Sequence, residues 1–150
     1  HSNKLSVKLK NANVLDLFSG IGSFGLECLS RGSSYATFIE NYKEVLPILK
    51  KNILNLKYQN NSLILEKNII DNFDFKIFHN KFDIIFMDPP YKEKDISKIL
   101  TNIIKNNVLN TDGIIVIHRH KNEKDTFPKE FKTIEEKNYG ISKIIFGNYF

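Results

Sequence analysis

A chain of 150 residues with 41% hydrophobic and 26% charged residues is long enough for one domain with a real core and too ordinary in composition for a disordered or fibrous protein. No apolar run approaches the roughly 20 residues that span a bilayer, and the single cysteine, Cys28, excludes an internal disulfide framework and any multi-cysteine metal site. A cytoplasmic protein with no membrane partner is therefore expected. The formal charge of +5 and a pI of about 9.2 favour a polyanionic partner through counterion release, although an AT-rich genome would also produce this lysine excess, in which Arg31 and Arg119 are the only arginines.

The chain opens at His1-Ser2 without an initiator methionine, and residues 1–12 read as a remnant or partly ordered lead-in to one domain spanning 1–150. Residues 13–18 (Asn-Val-Leu-Asp-Leu-Phe) form a buried strand. A glycine-rich turn follows, then a helix capped by Ser23 and running to Arg31, with Gly32 as its stop. Residues 35–40 make a second strand. Asn41 caps a long helix with Val45, Leu46, Leu49, Ile53 and Leu56 at helical spacing, in which Pro47 should loosen the first turns. A strand over 62–66 and a weakly helical stretch to about His79 lead to the strand 82–87, which ends at Asp88.

Ile96, Ile99, Leu100, Ile103 and Ile104 mark another amphipathic helix, and 113–117 is a fifth strand. The segments 131–137 and 142–146 form a hairpin around Asn138-Tyr139-Gly140. Alternating strands and helices specify an α/β, doubly wound, seven-stranded and mostly parallel sheet with a C-terminal antiparallel hairpin. Ligands of such sheets bind beyond the carboxyl ends of the strands. Asp16, Glu40, Asn68 and Asp88 all fall on that edge.

Gly20-Ile21-Gly22-Ser23-Phe24-Gly25 matches the dinucleotide fingerprint G-x-G-x-x-G, with Glu40 twenty residues beyond Gly20. An NAD-binding domain is thus one reading. Asp16, four residues before the first glycine, favours another. A carboxylate there repels a pyrophosphate, whereas S-adenosylmethionine brings an ammonium and a sulfonium. Asp16 can hold the amino-acid end, directly or through water, and Glu40 can accept from ribose hydroxyls.

The fourth strand runs into Asp88-Pro89-Pro90-Tyr91. Two prolines hold this turn rigid and remove backbone donors. The Asp88 carboxylate and the Pro89 carbonyl can each accept one hydrogen of a base amino group, localising electron density on its nitrogen. Tyr91 offers a face for the base to stack on, worth about 1–3 kcal/mol, and a base inside a helix must be flipped out to reach it. A plain proline turn ending a strand is the bland alternative, weakened by Asp16 and Glu40 in register beside it.

The block from Asp16 to Glu27 (Asp-Leu-Phe-Ser-Gly-Ile-Gly-Ser-Phe-Gly-Leu-Glu), with Leu29-Ser30-Arg31-Gly32, closely resembles the opening motif of the bacterial 16S rRNA guanine-N2 methyltransferases. Thr37-Phe38-Ile39-Glu40, the segment Asp83 to Tyr91 and Lys137-Asn138-Tyr139-Gly140 are also similar to that family, so the resemblance covers residues 13–147. It implies a class I, S-adenosylmethionine-dependent enzyme that methylates guanine N2 in 16S rRNA within an assembling small-subunit particle. It further implies a monomer that releases S-adenosylhomocysteine and needs no metal. The implied cofactor-binding set is Asp16, Phe18, Gly20, Gly22, Glu40, Asn41, Asn68 and Asp88, and the implied catalytic set is Asp88, Pro89, Pro90 and Tyr91.

Two departures stand out. Asn68, near the adenine amino group, is neutral where the family often carries Asp, and of the basic segment expected before the first strand only Lys4, Lys8 and Lys10 are present. An adenine-N6 methyltransferase acting on DNA or RNA shares the Asp-Pro-Pro-Tyr turn. A non-catalytic RNA-binding module would keep the fold alone.

The remaining candidates read as structural. His118-Arg119-His120 is a solvated strand end before it is a phosphate contact, and Cys28 is a small core residue. Lys50-Lys51 and the lysines between 121 and 132 form a solvated face, and Tyr139 belongs to the hairpin turn.

Overall fold

Val14, Leu15 and Leu17 are all fully buried, so the first strand must be covered on both faces. The structure, a computed structural model, shows how for residues 8–90 and 95–150, the residues it describes. The elements are β1 (Asn13–Leu17), α1 (Ser23–Ser30), β2 (Tyr35–Ile39), α2 (Leu46–Asn55), β3 (Ser62–Leu65), β4 (Phe82–Met87), α3 (Ile96–Asn106), β5 (Leu109–His120), β6 (Lys132–Tyr139) and β7 (Ser142–Asn148).

The seven strands form one sheet in the order β3-β2-β1-β4-β5-β7-β6. Pairing is parallel from β3 to β5 and antiparallel where β7 joins β5 and β6. Leu15, Leu17, Ile85, Met87, Ile115 and Ile117 point to one face, where Ile96, Ile99, Leu100 and Ile103 of α3 cover them. Val14, Ile84, Phe38 and Val116 point to the other, under Leu26 and Leu29 of α1 and Leu49 and Ile53 of α2. Strand order reverses between β1 and β4, so the crevice at their carboxyl ends is the switch point of the sheet. Among the described residues no helix is long and apolar enough to cross a membrane.

Several expected boundaries move for identifiable reasons. Ser23 does not cap α1. The cap is Gly22, which at φ 91 turns the chain left-handed with no side-chain bond, and Ser23 is already helical. Asn41 does not cap α2, which starts at Leu46 after Val45. The Glu40 carboxylate takes the N–H groups of Asn41 and Tyr42 and holds them as a loop. Pro47 then falls in the first turn of α2, where a missing N–H costs nothing, so it starts the helix instead of loosening it.

The stretch before β4 contains only a 3-10 turn, Phe75–Ile77. Aromatic packing anchors it, with Phe73 edge-on to Phe75 and Phe78 edge-on to Phe82. Strand β5 extends to His120 because β7 pairs with it from Ile115 to His120. The hairpin loop is Gly140-Ile141, between the paired Tyr139 and Ser142, and Gly140 supplies the positive φ of 56 that a two-residue loop needs at its first position.

Candidate active site

Strand register brings the expected residues to one edge. Asp16 pairs with Phe38 on β2 and with Phe86 on β4, and Met87 pairs with Ile117 on β5. Phe18, Glu40 and Asp88 therefore leave three neighbouring strands side by side, level with His118 on β5. A cavity of about 410 Å³ opens there, lined by Phe18, Glu40, Asn41, Tyr42, Asn68, Ile70, Asp88 and Pro90. Five of its lining residues are expected cofactor ligands. Tyr42 and Ile70 were not anticipated, since each lies in a loop just past the residue that the motif singles out.

The glycine turn is built around two carboxylates. Gly20 N–H donates to Glu40 Oε1 at 2.6 Å, and Asn41 and Tyr42 donate to Oε2 at 3.1 and 3.0 Å. Glu40 thereby fastens the loop after β1 to the loop after β2. Gly25 N–H donates to Asp16 Oδ2 at 3.1 Å. Gly25 has to be glycine, because a Cβ would sit 2.4 Å from the Phe38 ring. Phe18 holds the first residue of the turn at φ 59, a conformation that side chains other than glycine seldom adopt.

Asp16 is 1% exposed, and its Oδ1 has no hydrogen-bond partner. Burial pushes its carboxyl up to about 8. The Gly25 N–H opposes that rise, and the neighbouring charges of Asp88 and Glu40 add to it. The Ser19 hydroxyl also acts on this carboxyl and lowers its pKa, and the unsatisfied Oδ1 leaves room for a further donor. The lining of the cavity carries the carboxylates of Glu40 and Asp88 and no cationic side chain among the described residues. Asn68 is folded into its own loop, its Oδ1 accepting from Ile70 and Asp71 N–H and its Nδ2 donating to Asp71.

The structure places Asp88 directly after β4 with its side chain 48% exposed, Pro89 buried and Pro90 exposed. Tyr91 lies outside the described residues. Gly20 and Gly22 shape the turn but do not line the cavity. A larger cavity of about 580 Å³ involves Asn13, Tyr35 and Phe82, the first residues of their strands. It lies at the opposite edge of the sheet from the glycine turn and Asp88.

The family described as conserved hypothetical protein 95 matches residues 2–148. Ribosomal RNA small subunit methyltransferase D of Buchnera aphidicola (subsp. Acyrthosiphon pisum) is 30% identical over 133 residues, 89% of this chain and 69% of that protein. Its Escherichia coli K12 namesake is 30% identical over 139 residues, 92% and 69% of the two chains. The chain belongs to this methyltransferase D family.

A solved Haemophilus influenzae structure, a candidate methylase, superposes with a TM-score of 0.82 at 28% identity over 98% of this chain and 92% of that one. The class I methyltransferase fold and the family resemblance carried by the Asp16–Gly32 block are both borne out. Within the methyltransferase D fold, two residues set aside as a solvated strand end have structural partners. His118 bridges Asp88 and Ser142. Arg119 is 2% exposed, and its guanidinium donates to both Asp125 oxygens at 2.8 and 2.9 Å and reaches Glu123 at 3.4 Å. The only signal available for these two in the sequence was their position on β5, level with the Asp88 turn. Cys28 is in the core, as its helical position suggested, and burial pushes its thiol up to about 12.

Proposed function

We propose that this chain is an S-adenosylmethionine-dependent methyltransferase acting on the exocyclic N2 of a guanine in 16S rRNA, as a monomer and on a small-subunit particle. The observation that carries the reading is the one cavity shared by Phe18, Glu40, Asn41, Asn68 and Asp88, with the orphaned Asp16 Oδ1 behind it. The two carboxylates that line the cavity, Glu40 and Asp88, suit a cationic ligand and repel a pyrophosphate, which supports the methyl donor over NAD. The rRNA substrate is supported by the names of the relatives. Guanine N2 is supported by the resemblance around Asp16 to Gly32.

S-adenosylmethionine supplies an electrophilic methyl group on a sulfonium. The chain's residues do the rest. Asp16 Oδ1 accepts from the ammonium of the amino-acid end. Glu40 already accepts three backbone hydrogens, and a carboxylate with about four acceptor sites has one left for a ribose hydroxyl. Asn68 keeps one amide hydrogen for the adenine ring, while Phe18 and Asn41 line the cavity beside it. Asp88 and the Pro89 carbonyl accept the two amino hydrogens of the flipped base, Pro90 bounds its plane, and Asp88 is at hand for the proton that the amino group sheds. The stacking role of Tyr91 rests on the sequence and its family resemblance alone.

The test is methyl transfer to 30S particles, naked rRNA and DNA, with nucleosides mapped by mass spectrometry. N2-methylguanosine in 16S rRNA from the particle is the expected product. Asp88→Ala should lower turnover about 10²-fold or more while S-adenosylhomocysteine binding survives. Methylation of DNA alone would overturn the assignment.

A further inference from the structure

Asp88 is a half-exposed carboxylate that follows the last residue of a strand, and among the described residues its side-chain partner is not a backbone group but an imidazole. Methyl transfer tolerates little misplacement. An error of about 1 Å in a catalytic group can cost about 10²-fold in rate. What holds the side chain comes from the neighbouring strand. Met87 pairs with Ile117, which sets Asp88 and His118 beside each other, and His118 Nδ1 lies 2.9 Å from Asp88 Oδ1. The other ring nitrogen, Nε2, lies 2.9 Å from Ser142 Oγ. Ser142 opens β7 and pairs with His120 across the antiparallel junction. The imidazole thus ties together the ends of three strands.

The chemistry of the groups assigns the protons. An ionised carboxylate only accepts, so Nδ1 carries the hydrogen, and in the neutral ring Nε2 must then accept from the Ser142 hydroxyl. An isolated His–Asp contact at the surface contributes little. A ring fixed at both nitrogens is different, because its orientation no longer depends on the contact it serves. We infer that His118, oriented by Ser142, is a positioning residue that holds Asp88 Oδ1 and leaves Oδ2 for the amino group of the target base. This rests on the proposed role of Asp88 in the reaction.

Two measurements on the intact chain test it. In the first, turnover on 30S particles is compared for wild type, His118→Ala, His118→Asn and Ser142→Ala. His118→Ala should lose about 10-fold or more in kcat with KM for S-adenosylmethionine unchanged and a wild-type melting curve. His118→Asn, whose amide nitrogen sits near the place of Nδ1, should recover most of the loss, and Ser142→Ala should fall between. Wild-type kcat in His118→Ala, or a His118→Asn no better than His118→Ala, overturns the inference. In the second, ¹⁵N NMR of the imidazole, with His118 identified by its absence in His118→Asn, reads the tautomer without any turnover. A neutral ring protonated at Nδ1, shifting toward Nε2 in Asp88→Ala, supports the inference, and a neutral wild-type ring protonated at Nε2 overturns it. Absence of turnover in the wild type on every acceptor would instead remove the methyltransferase reading, and the tautomer would still decide whether His118 holds Asp88.

Discussion

Asp16 concentrates the physics of the site in one side chain. Burial raises its carboxyl from 3.8 to about 8, so between these values the folded chain keeps a proton that the unfolded chain has released. Stability of the ligand-free protein should therefore fall as pH rises from about 4 to about 8 and lose no more from this group above that. Asp16→Asn removes the titration and should flatten the melting temperature between about pH 5 and about pH 8. An unchanged slope in Asp16→Asn would place the dependence on another group. The same burial explains the reach of the site toward a cation. An unpartnered Oδ1 flanked by Asp88 and Glu40 gains more from an ammonium than from any neutral donor.

At the scale of elements, the glycine turn is a packing device. Gly22 caps α1 at φ 91, and a Cβ there would lie 2.6 Å from Leu49 Cδ1, a fully buried side chain of α2. Gly22→Ala should therefore cost about 1–3 kcal/mol from strain and overpacking. Urea denaturation measures this, and a loss below about 0.5 kcal/mol would mean that α2 can retreat. On the far side of the site, the buried pairing of Arg119 with Asp125, together with Lys143 Nζ donating to the Glu123 carbonyl at 2.5 Å, fastens the loop after β5 to the sheet. A buried pair of this kind specifies geometry more than it adds stability. Here it fixes the loop that follows His120.

Across the whole molecule, the sheet holds the strand ends in register, and the proposed chemistry falls to the loops that follow them. Reversal of strand order between β1 and β4 leaves a crevice at which both Asp16 and Asp88 arrive. A ligand that binds only the folded chain stabilises it by mass action, by about 2.7 kcal/mol at a hundred times its Kd. S-adenosylhomocysteine, which retains the ammonium, should raise the melting temperature accordingly, whereas NAD should leave it unchanged. A shift with NAD alone would revive the dinucleotide reading of the glycine pattern.

Much of this was legible in the sequence. Apolar runs of strand length alternating with helical periods determined the α/β sheet. Asp16, Glu40 and Asp88 were identifiable as candidate site residues because each stands at a strand's carboxyl end before a turn. Asn68 followed from the same logic, and Phe18 came only with the family resemblance. What escaped it depends on partners far away in the chain. Gly22 displaced Ser23 as the cap of α1 because of how the turn meets α2, and Glu40, not Asn41, organised the loop before α2. His118 and Arg119 looked like a solvated strand end because their partners, Asp88, Ser142 and Asp125, are brought to them only by strand order and a folded loop. Local patterning is enough to determine which strands form and where they end. The neighbour that each strand end acquires is decided by the tertiary fold, since it depends on burying both faces of the sheet at once.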